Sequence, residues 1–385
     1  MKDLSILDSV LYSRKERAIN LLKKFDYDGW LVISAGNDVN LEYLLGTKPH
    51  GTTVAVISRD GLFVLASRLE ESMVKKNHVD SVETYYGSKE LIAGIMDILS
   101  RFKDGKILLN ISPPLVSFHA SRILYGHADL IQKLGALYGA SFHASHKFVL
   151  ELRSIKTEAE LNALKEAVRE TVNVIDNIIN KIRIGMTEKE VAAEIYKEIY
   201  MKGAPSFETI VAFGKNSANP HHETSNKKLR TGEIGYIDMG IKLYSMCADI
   251  TRAFFTDNVD NKFYDIYSIV REAQDSSIEV IKDGVSANIP DKVARETIQK
   301  HGYDPEKVFT HGLGHPIGAE VHDVGPALTF LASSENILKK NMTETIEPAI
   351  YISEAGGIRL EDDIIIRKND TFRLSIAPDE PPKVG

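Results

Sequence analysis

The sequence predicts an α+β fold in two domains, residues 1–150 and 151–385. Three observations lead there. Through the first 150 residues, short apolar runs alternate with helical periods, the pattern of a small α/β domain. At Leu161 a long amphipathic period begins. From Glu208 onward, strand-like runs dominate, several of them carrying acidic residues. A length of 385 residues allows two or three domains at about 150 residues each.

Taken in order, Ser13 and Glu16 have the spacing of a helix capping box, with Leu21, Leu22 and Phe25 following at helical intervals. Trp30 to Ile33 predicts a buried strand. Thr52–Ile57 and Leu62–Ala66 flank Asp60-Gly61, a hairpin signal. Leu91, Ile95, Ile98 and Leu99 predict a helix, Ile107–Leu109 a strand, and Pro113-Pro114 a break. His119, His127, His143 and His146 are scattered, and surface or packing roles account for them. Near Leu150 the pattern changes. Thr157 and Glu160 form a second capping box, and Leu161, Leu164, Val168, Val172, Ile175, Ile179 and Ile182 mark one helix face. Gly185 ends it, and Thr187 with Glu190 starts the next, which closes at Gly203. Strands are predicted at Thr209–Phe213, Ile234–Met239 and Ile250–Phe255. Helices follow over 262–282 and 290–300. The chain finishes in strands at Thr343–Ile352, Asp363–Arg367 and Phe372–Ile376.

Composition excludes several classes. The chain is 43% hydrophobic and 26% charged, so it is not disordered, collagenous or a coiled coil. A net charge of −7 and a pI near 6.0 argue against a nucleic-acid surface. Cys247 is the single cysteine, which excludes an intrachain disulfide and fits a reducing compartment. No apolar run reaches the roughly 18 residues of a membrane span. The N-terminal stretch MKDLSILDSVLYSRKER lacks the apolar core of a signal peptide. The expectation is a cytoplasmic protein that binds neither nucleic acid nor membrane.

The chemistry-bearing residues lie in the second domain. Six of the 12 histidines, at 221, 222, 301, 311, 315 and 322, fall there within about a hundred residues. In YIDMGIKLYSMCADITR, Asp238 and Asp249 sit on apolar, strand-like flanks where aspartate is disfavoured unless its charge is compensated. A turn near Leu243-Tyr244 would set them opposite each other, about 5 Å apart. By themselves they could equally be surface aspartates on a hairpin. In THGLGHPIGAEVHDVGP, His311, His315 and His322 lie among glycines and a proline that preclude a helix, so this is not a helical HExxH site. Glu347 and Glu361 each interrupt an apolar run, and Gly356-Gly357 between them predicts a turn that brings them together. Four carboxylates in one apolar sheet demand compensation, since burying one unpaired charge costs several kcal/mol. Two divalent cations would cancel them, with neutral His315 completing an oxygen-rich set that suits Mn²⁺, Co²⁺ or Zn²⁺. Cys247 reads as a small buried residue, not a ligand.

Together these segments resemble the pita-bread metallopeptidases, the family of methionine aminopeptidase, aminopeptidase P and prolidase. The resemblance rests on DxG, D-x-TR, HGLGHxxGxxVHDVG, IEPxxY and RxED in that order, over about Leu152 to Ile376. Residues 1–150 are similar to the N-terminal domain of the proline-specific branch, with NDVNLEYLLG at a turn. The resemblance implies a pita-bread catalytic domain with five metal ligands: Asp238 on one cation, Asp249 and Glu361 bridging, His315 and Glu347 on the other. It implies that His221 (His222 less so), His311 and His322 contact substrate, and that Arg359 supports the carboxylates. The implied reaction is hydrolysis of an Xaa-Pro bond by a metal-bridged water, with Glu347 handling the proton and His322 stabilising the oxyanion. Small peptides with proline second are the implied substrates, for a dipeptidase or an aminopeptidase; the dipeptidase is the preferred expectation, since the chain shows no obvious extra domain, and a homodimer is implied. Two positions depart from the pattern: Ala349 replaces a glycine, and Met246 replaces a tyrosine near the metals. The alternatives are a metallo-aminopeptidase of other N-terminal specificity, or a creatinase-like hydrolase or binding module on the same fold.

Overall fold

The computed structural model describes residues 5–36, 38–112 and 123–385. Pro113-Pro114 and His119 lie outside the described residues. The chain divides into two compact units, Met1–Glu160 and Leu161–Gly385.

The first unit is built on a six-stranded sheet. Its strands are β1 (Gly29–Ala35), β2 (Thr52–Ser58), β3 (Gly61–Ser67), β4 (Ser81–Tyr85), β5 (Lys106–Leu109) and β6 (Ser141–Ala144), in the order β4-β3-β2-β1-β5-β6. β1 to β3 form an antiparallel meander, and the outer pairings are parallel. Leu31, Ile33, Val54, Val56 and Leu65 from the sheet pack with Ile95 and Leu99 from the helix Gly87–Ser100. The predicted helix at Ser13 begins earlier, at Ile6–Phe25, because Ser5 caps it by accepting from the Asp8 N–H. Ser13 lies inside the helix and donates to Val10 O at 2.8 Å, a local bond that suits a mid-helix serine. His127, His143 and His146 are all partly or fully exposed.

The second unit carries longer helices around small antiparallel sheets. The capping box at Thr157 and Glu160 forms, and the helix runs Glu158–Ile179. The box at Thr187 and Glu190 likewise starts the helix Glu188–Tyr200. Helices Asn261–Glu279 and Asn288–Lys300 follow. The strands are β7 (Ala204–Pro205), β8 (Ile210–Phe213), β9 (Ile234–Met239), β10 (Ile241–Leu243), β11 (Met246–Cys247), β12 (Ile250–Phe255), β13 (Thr343–Ile346), β14 (Ala349–Ile352), β15 (Gly356–Arg359), β16 (Asp362–Ile366) and β17 (Thr371–Arg373). They pair as β12-β9-β8, β11-β10-β7, β13-β16-β17 and β14-β15.

Two strand expectations need correction. Thr343–Ile352 is two strands, not one. Glu347-Pro348 separates them, since proline has no N–H for a ladder. Gly356-Gly357 is not the turn but the start of β15. The chain reverses at 353–355, with Glu354 at a φ of 61°. A Cβ at Gly357 would sit 2.4 Å from the Tyr351 ring and 2.6 Å from Ser217 O, so glycine is there for close packing. The reversal still brings Glu347 and Glu361 together, because Ala349 pairs with Arg359. Buried Gln274 reinforces this by donating to Ile346 O at 3.0 Å and Leu360 O at 3.2 Å, the carbonyls just before each glutamate.

Candidate metal centre

Asp238 and Asp249 belong to one hairpin, but not as an opposed pair. The turn is Tyr244-Ser245, both with positive φ as a tight two-residue turn requires. That is one residue later than expected, and it shifts the register by two. Asp238 therefore faces Thr251, and Asp249 lies just before β12. A two-residue shift preserves the face, so the two acids remain diagonal neighbours on the same side.

His315 arrives on an irregular segment clasped against β13. Its N–H donates to Thr345 Oγ1 at 3.2 Å, and its carbonyl accepts from Thr345 N–H at 2.9 Å. Gly314 makes this approach feasible, as a Cβ there would lie 1.9 Å from Thr345 O. His315 Nδ1 donates to Pro316 O at 3.2 Å, which leaves the Nε2 lone pair facing the acids. It stands 3.5 Å from Asp249 Oδ2 and 3.9 Å from Glu347 Oε1.

One ligand atom each from Asp249, His315 and Glu361 lies within 4.8 Å of the others. All five sequence-predicted ligands line one cavity of about 570 Å³, as do His221, His311, His322 and Arg359. The oxygens Asp238 Oδ1 and Asp249 Oδ1 are buried without a hydrogen-bond partner. Burial, then the charges of Glu361 and Asp238, push the Asp249 carboxyl well up. Glu361 is raised in the same way by burial and Glu347. Burial likewise raises Glu347 to about 8, and lowers His315 and His311 to about 3. Orphaned carboxylate oxygens and a neutral imidazole aimed at them are donors that suit divalent cations.

Around these side chains runs a network of which the sequence pointed only to Arg359. Its guanidinium is buried, donates to Asp238 Oδ2, to Tyr351 Oη at 2.7 Å and to Thr251 Oγ1 at 3.1 Å, and lies over the Tyr236 ring. Thr251 donates in turn to Glu361 Oε2 at 2.7 Å. Tyr351 Oη lies 3.0 Å from His311 Nε2, whose other nitrogen donates to Gly312 O. Asp363 accepts from the Asp249 N–H at 3.1 Å. Tyr351 stands in the IEPxxY pattern and Thr251 in D-x-TR, so both were visible as letters without a role. Asp363 carried no signal, because its partner is a backbone group 114 positions away.

The adjacent histidines diverge. His221 lines the cavity, whereas His222 turns to Glu188 at 2.8 Å. His322 is exposed at the cavity and packs edge-on against His315, ring centroids 4.1 Å apart. Cys247 is buried. A hollow of about 400 Å³ in the first unit, flanked by Arg59, Phe63 and Arg101, gathers no histidine.

Comparison with known proteins agrees with this arrangement. Residues 162–368 match the description of metallopeptidase family M24. The Xaa-Pro dipeptidase of Pyrococcus furiosus is 31% identical, covering 94% of this chain and 98% of its own. Among solved structures, a dipeptidase from Pyrococcus horikoshii superposes with a TM-score of 0.81 at 33% identity, covering 96% of this chain and all of the other. An X-Pro aminopeptidase from Thermotoga maritima superposes at 0.84 with 28% identity, covering 95% and 100%. With the match extending over residues 162–368, which include the converging acids and histidine, the chain belongs to metallopeptidase family M24 and is a peptidase with the pita-bread fold.

Proposed function

We propose that this peptidase hydrolyses the bond between an N-terminal residue and a following proline. In this reading Asp238, Asp249, His315, Glu347 and Glu361 hold two divalent cations, Mn²⁺ or Co²⁺ before Zn²⁺. The observation that carries it is the convergence of Asp249, His315 and Glu361 within 4.8 Å, beside carboxylate oxygens that have no other partner. Names of relatives at about 30% identity support the proline specificity. When bound, the cations supply Lewis acidity, lowering the pKa of water and polarising the scissile carbonyl.

The chain's own residues do the rest. Arg359 holds one Asp238 oxygen in place and leaves the other for the cation. Glu347 takes the nucleophile's proton on a carboxylate oxygen and passes it to the departing proline nitrogen. His322, exposed at the cavity, donates to the carbonyl oxygen as its charge develops. His221 and His311 orient the peptide. An imide before proline has no N–H, so a wall that offers it no acceptor leaves nothing unpaired.

Dipeptide and longer substrates remain as two readings, and the cavity favours the longer. Among the described residues lining it, Arg359 is the one guanidinium or ammonium, and it is engaged by Asp238, Tyr351 and Thr251. A dipeptide's terminal carboxylate would find no unengaged guanidinium or ammonium among those residues. The test compares Ala-Pro, Ala-Pro-Ala and Met-Ala-Ala with Mn²⁺, Co²⁺ and Zn²⁺, and after chelation. Metal-dependent cleavage of the proline peptides alone is expected. Preference for Met-Ala-Ala would establish another N-terminal specificity, and no cleavage of any would leave a non-peptidase role.

A further inference from the structure

His221 reaches the cavity from an irregular stretch, residues 219–233, that lies between the turn Gly214–Ala218 and β9. A side chain on such a stretch is only as well placed as its anchors. One anchor dominates, and it lies outside the cavity lining. Glu188, at the first position of the helix Glu188–Tyr200, is fully buried. Its Oε1 accepts from Phe213 N–H and from Asn216 Nδ2, both at 2.9 Å. Its Oε2 accepts from Ser225 N–H at 2.9 Å and from the Ser225 hydroxyl, and stands 2.8 Å from His222 Nε2.

Five donors therefore converge on one carboxylate, two from before His221 and three from after it. Burial raises this carboxyl, but the bonds from Ser225, His222, Asn216 and the Phe213 N–H outweigh it and hold the group below its ordinary range. The same helix start donates backbone N–H groups to Lys227 O at 3.0 Å and Ser225 O at 3.1 Å. A surface loop needs no buried charge, and an acid this deep is costly unless satisfied as fully as this one.

We propose that Glu188, acting through His222 and Ser225, is the positioning residue that fixes His221 at the cavity. The proposal rests on the reading that His221 contacts the substrate. The doublet in SANPHH then has two jobs: the first histidine meets the peptide, and the second fastens the strand of chain that carries it.

The test is a double-mutant cycle on the metal-loaded enzyme with Ala-Pro-Ala, using Glu188→Gln and His221→Ala. Alone, Glu188→Gln should lower kcat/KM roughly 10- to 100-fold, the scale of an ångström-sized misplacement, with bound metal unchanged. In the His221→Ala background the same substitution should cost less than about twofold. Equal losses in both backgrounds would overturn the positioning role and leave a structural one. If His221→Ala itself keeps full activity, the substrate-contact reading fails instead, and the two failures are thus distinct. Should Glu188→Gln not fold, His222→Gln and His222→Leu carry the test. Glutamine keeps an N–H donor for Glu188 and should retain most of the activity, whereas leucine should lose it. Indistinguishable activities of these two would also overturn the proposal.

Discussion

At the scale of single residues, the cavity sets a strong acid–base contrast. Buried carboxylates that repel one another are raised, and the imidazole among them is kept neutral. The neutral imidazole keeps a lone pair that a cation can use, and the raised carboxyls mark crowded oxygens whose charge a cation would compensate in place of a proton. Asp249→Ala should abolish turnover and release bound metal, measured by metal analysis alongside the hydrolysis rate. A variant with full turnover would mean the ligand assignment is wrong. His322→Ala should slow catalysis by about 100-fold and keep its metal, given its proposed role on the carbonyl oxygen. Tyr351→Phe removes the hydroxyl between Arg359 and His311. It should cost about 1–3 kcal/mol in urea unfolding, the usual penalty for stranding buried polar partners. Of these residues the sequence marked the acids and histidines, because a charged or titratable side chain in an apolar run is conspicuous. It did not mark Asp363 or Glu188, whose partners are backbone groups and side chains brought near only by folding.

At the scale of elements, a tight turn and a glycine govern the site's alignment. Tyr244-Ser245 sets the register that puts Asp238 against Thr251. Moving that turn by one residue moves the partner by two, so periodicity in the strands was insufficient to locate it. The capping boxes at Thr157 and Thr187 were legible because each is complete within four consecutive residues. Short elements such as β7 and β11 were not, since two residues carry no period. Gly314 is required where the His315 segment meets β13. Gly314→Ala would drive a Cβ to 1.9 Å from Thr345 O, an atom held in the backbone. A loss of about 3 kcal/mol or more in unfolding free energy, or no soluble protein, is expected. An unfolding midpoint equal to that of the parent protein would contradict this account of the clasp.

At the scale of the whole molecule, the carboxylate cluster couples stability to pH and to metal. Glu347 has a folded value of about 8 against an ordinary 4.5, and Asp249 and Glu361 are raised in the same direction. A raised carboxyl favours the protonated folded form. Its contribution is therefore complete below about pH 4.5 and is lost as pH climbs through about 8. Chelator-treated protein should lose resistance to urea over that range, and saturating Mn²⁺ should remove the decline, because the cation replaces the proton. At 100 times its dissociation constant a ligand adds about 2.7 kcal/mol. Asp362 behaves oppositely. Burial raises it, but Arg252, Ser375 and Arg373 together hold it below the ordinary range, so its stabilisation is present above about pH 4 and fails on strong acidification. Among the described residues no helix is long and apolar enough to cross a membrane. The homodimer expected from the family resemblance would sediment at twice the 42.8 kDa chain mass.

What the amino-acid order determined unaided was local or chemical: the capping boxes at Thr157 and Thr187, the periods of the long helices, and the improbable placement of four acids within or beside apolar strands. Those signals survive in a linear chain because each is confined to a short window or to one residue's conflict with its neighbours. Tertiary structure alone decided how Arg359 divides its donors and that Glu188 holds the second histidine of the doublet. These depend on hydrogen bonds between groups as much as 121 positions apart, such as the Arg359 guanidinium on the Asp238 carboxylate, and no local pattern encodes a distance that only packing can close.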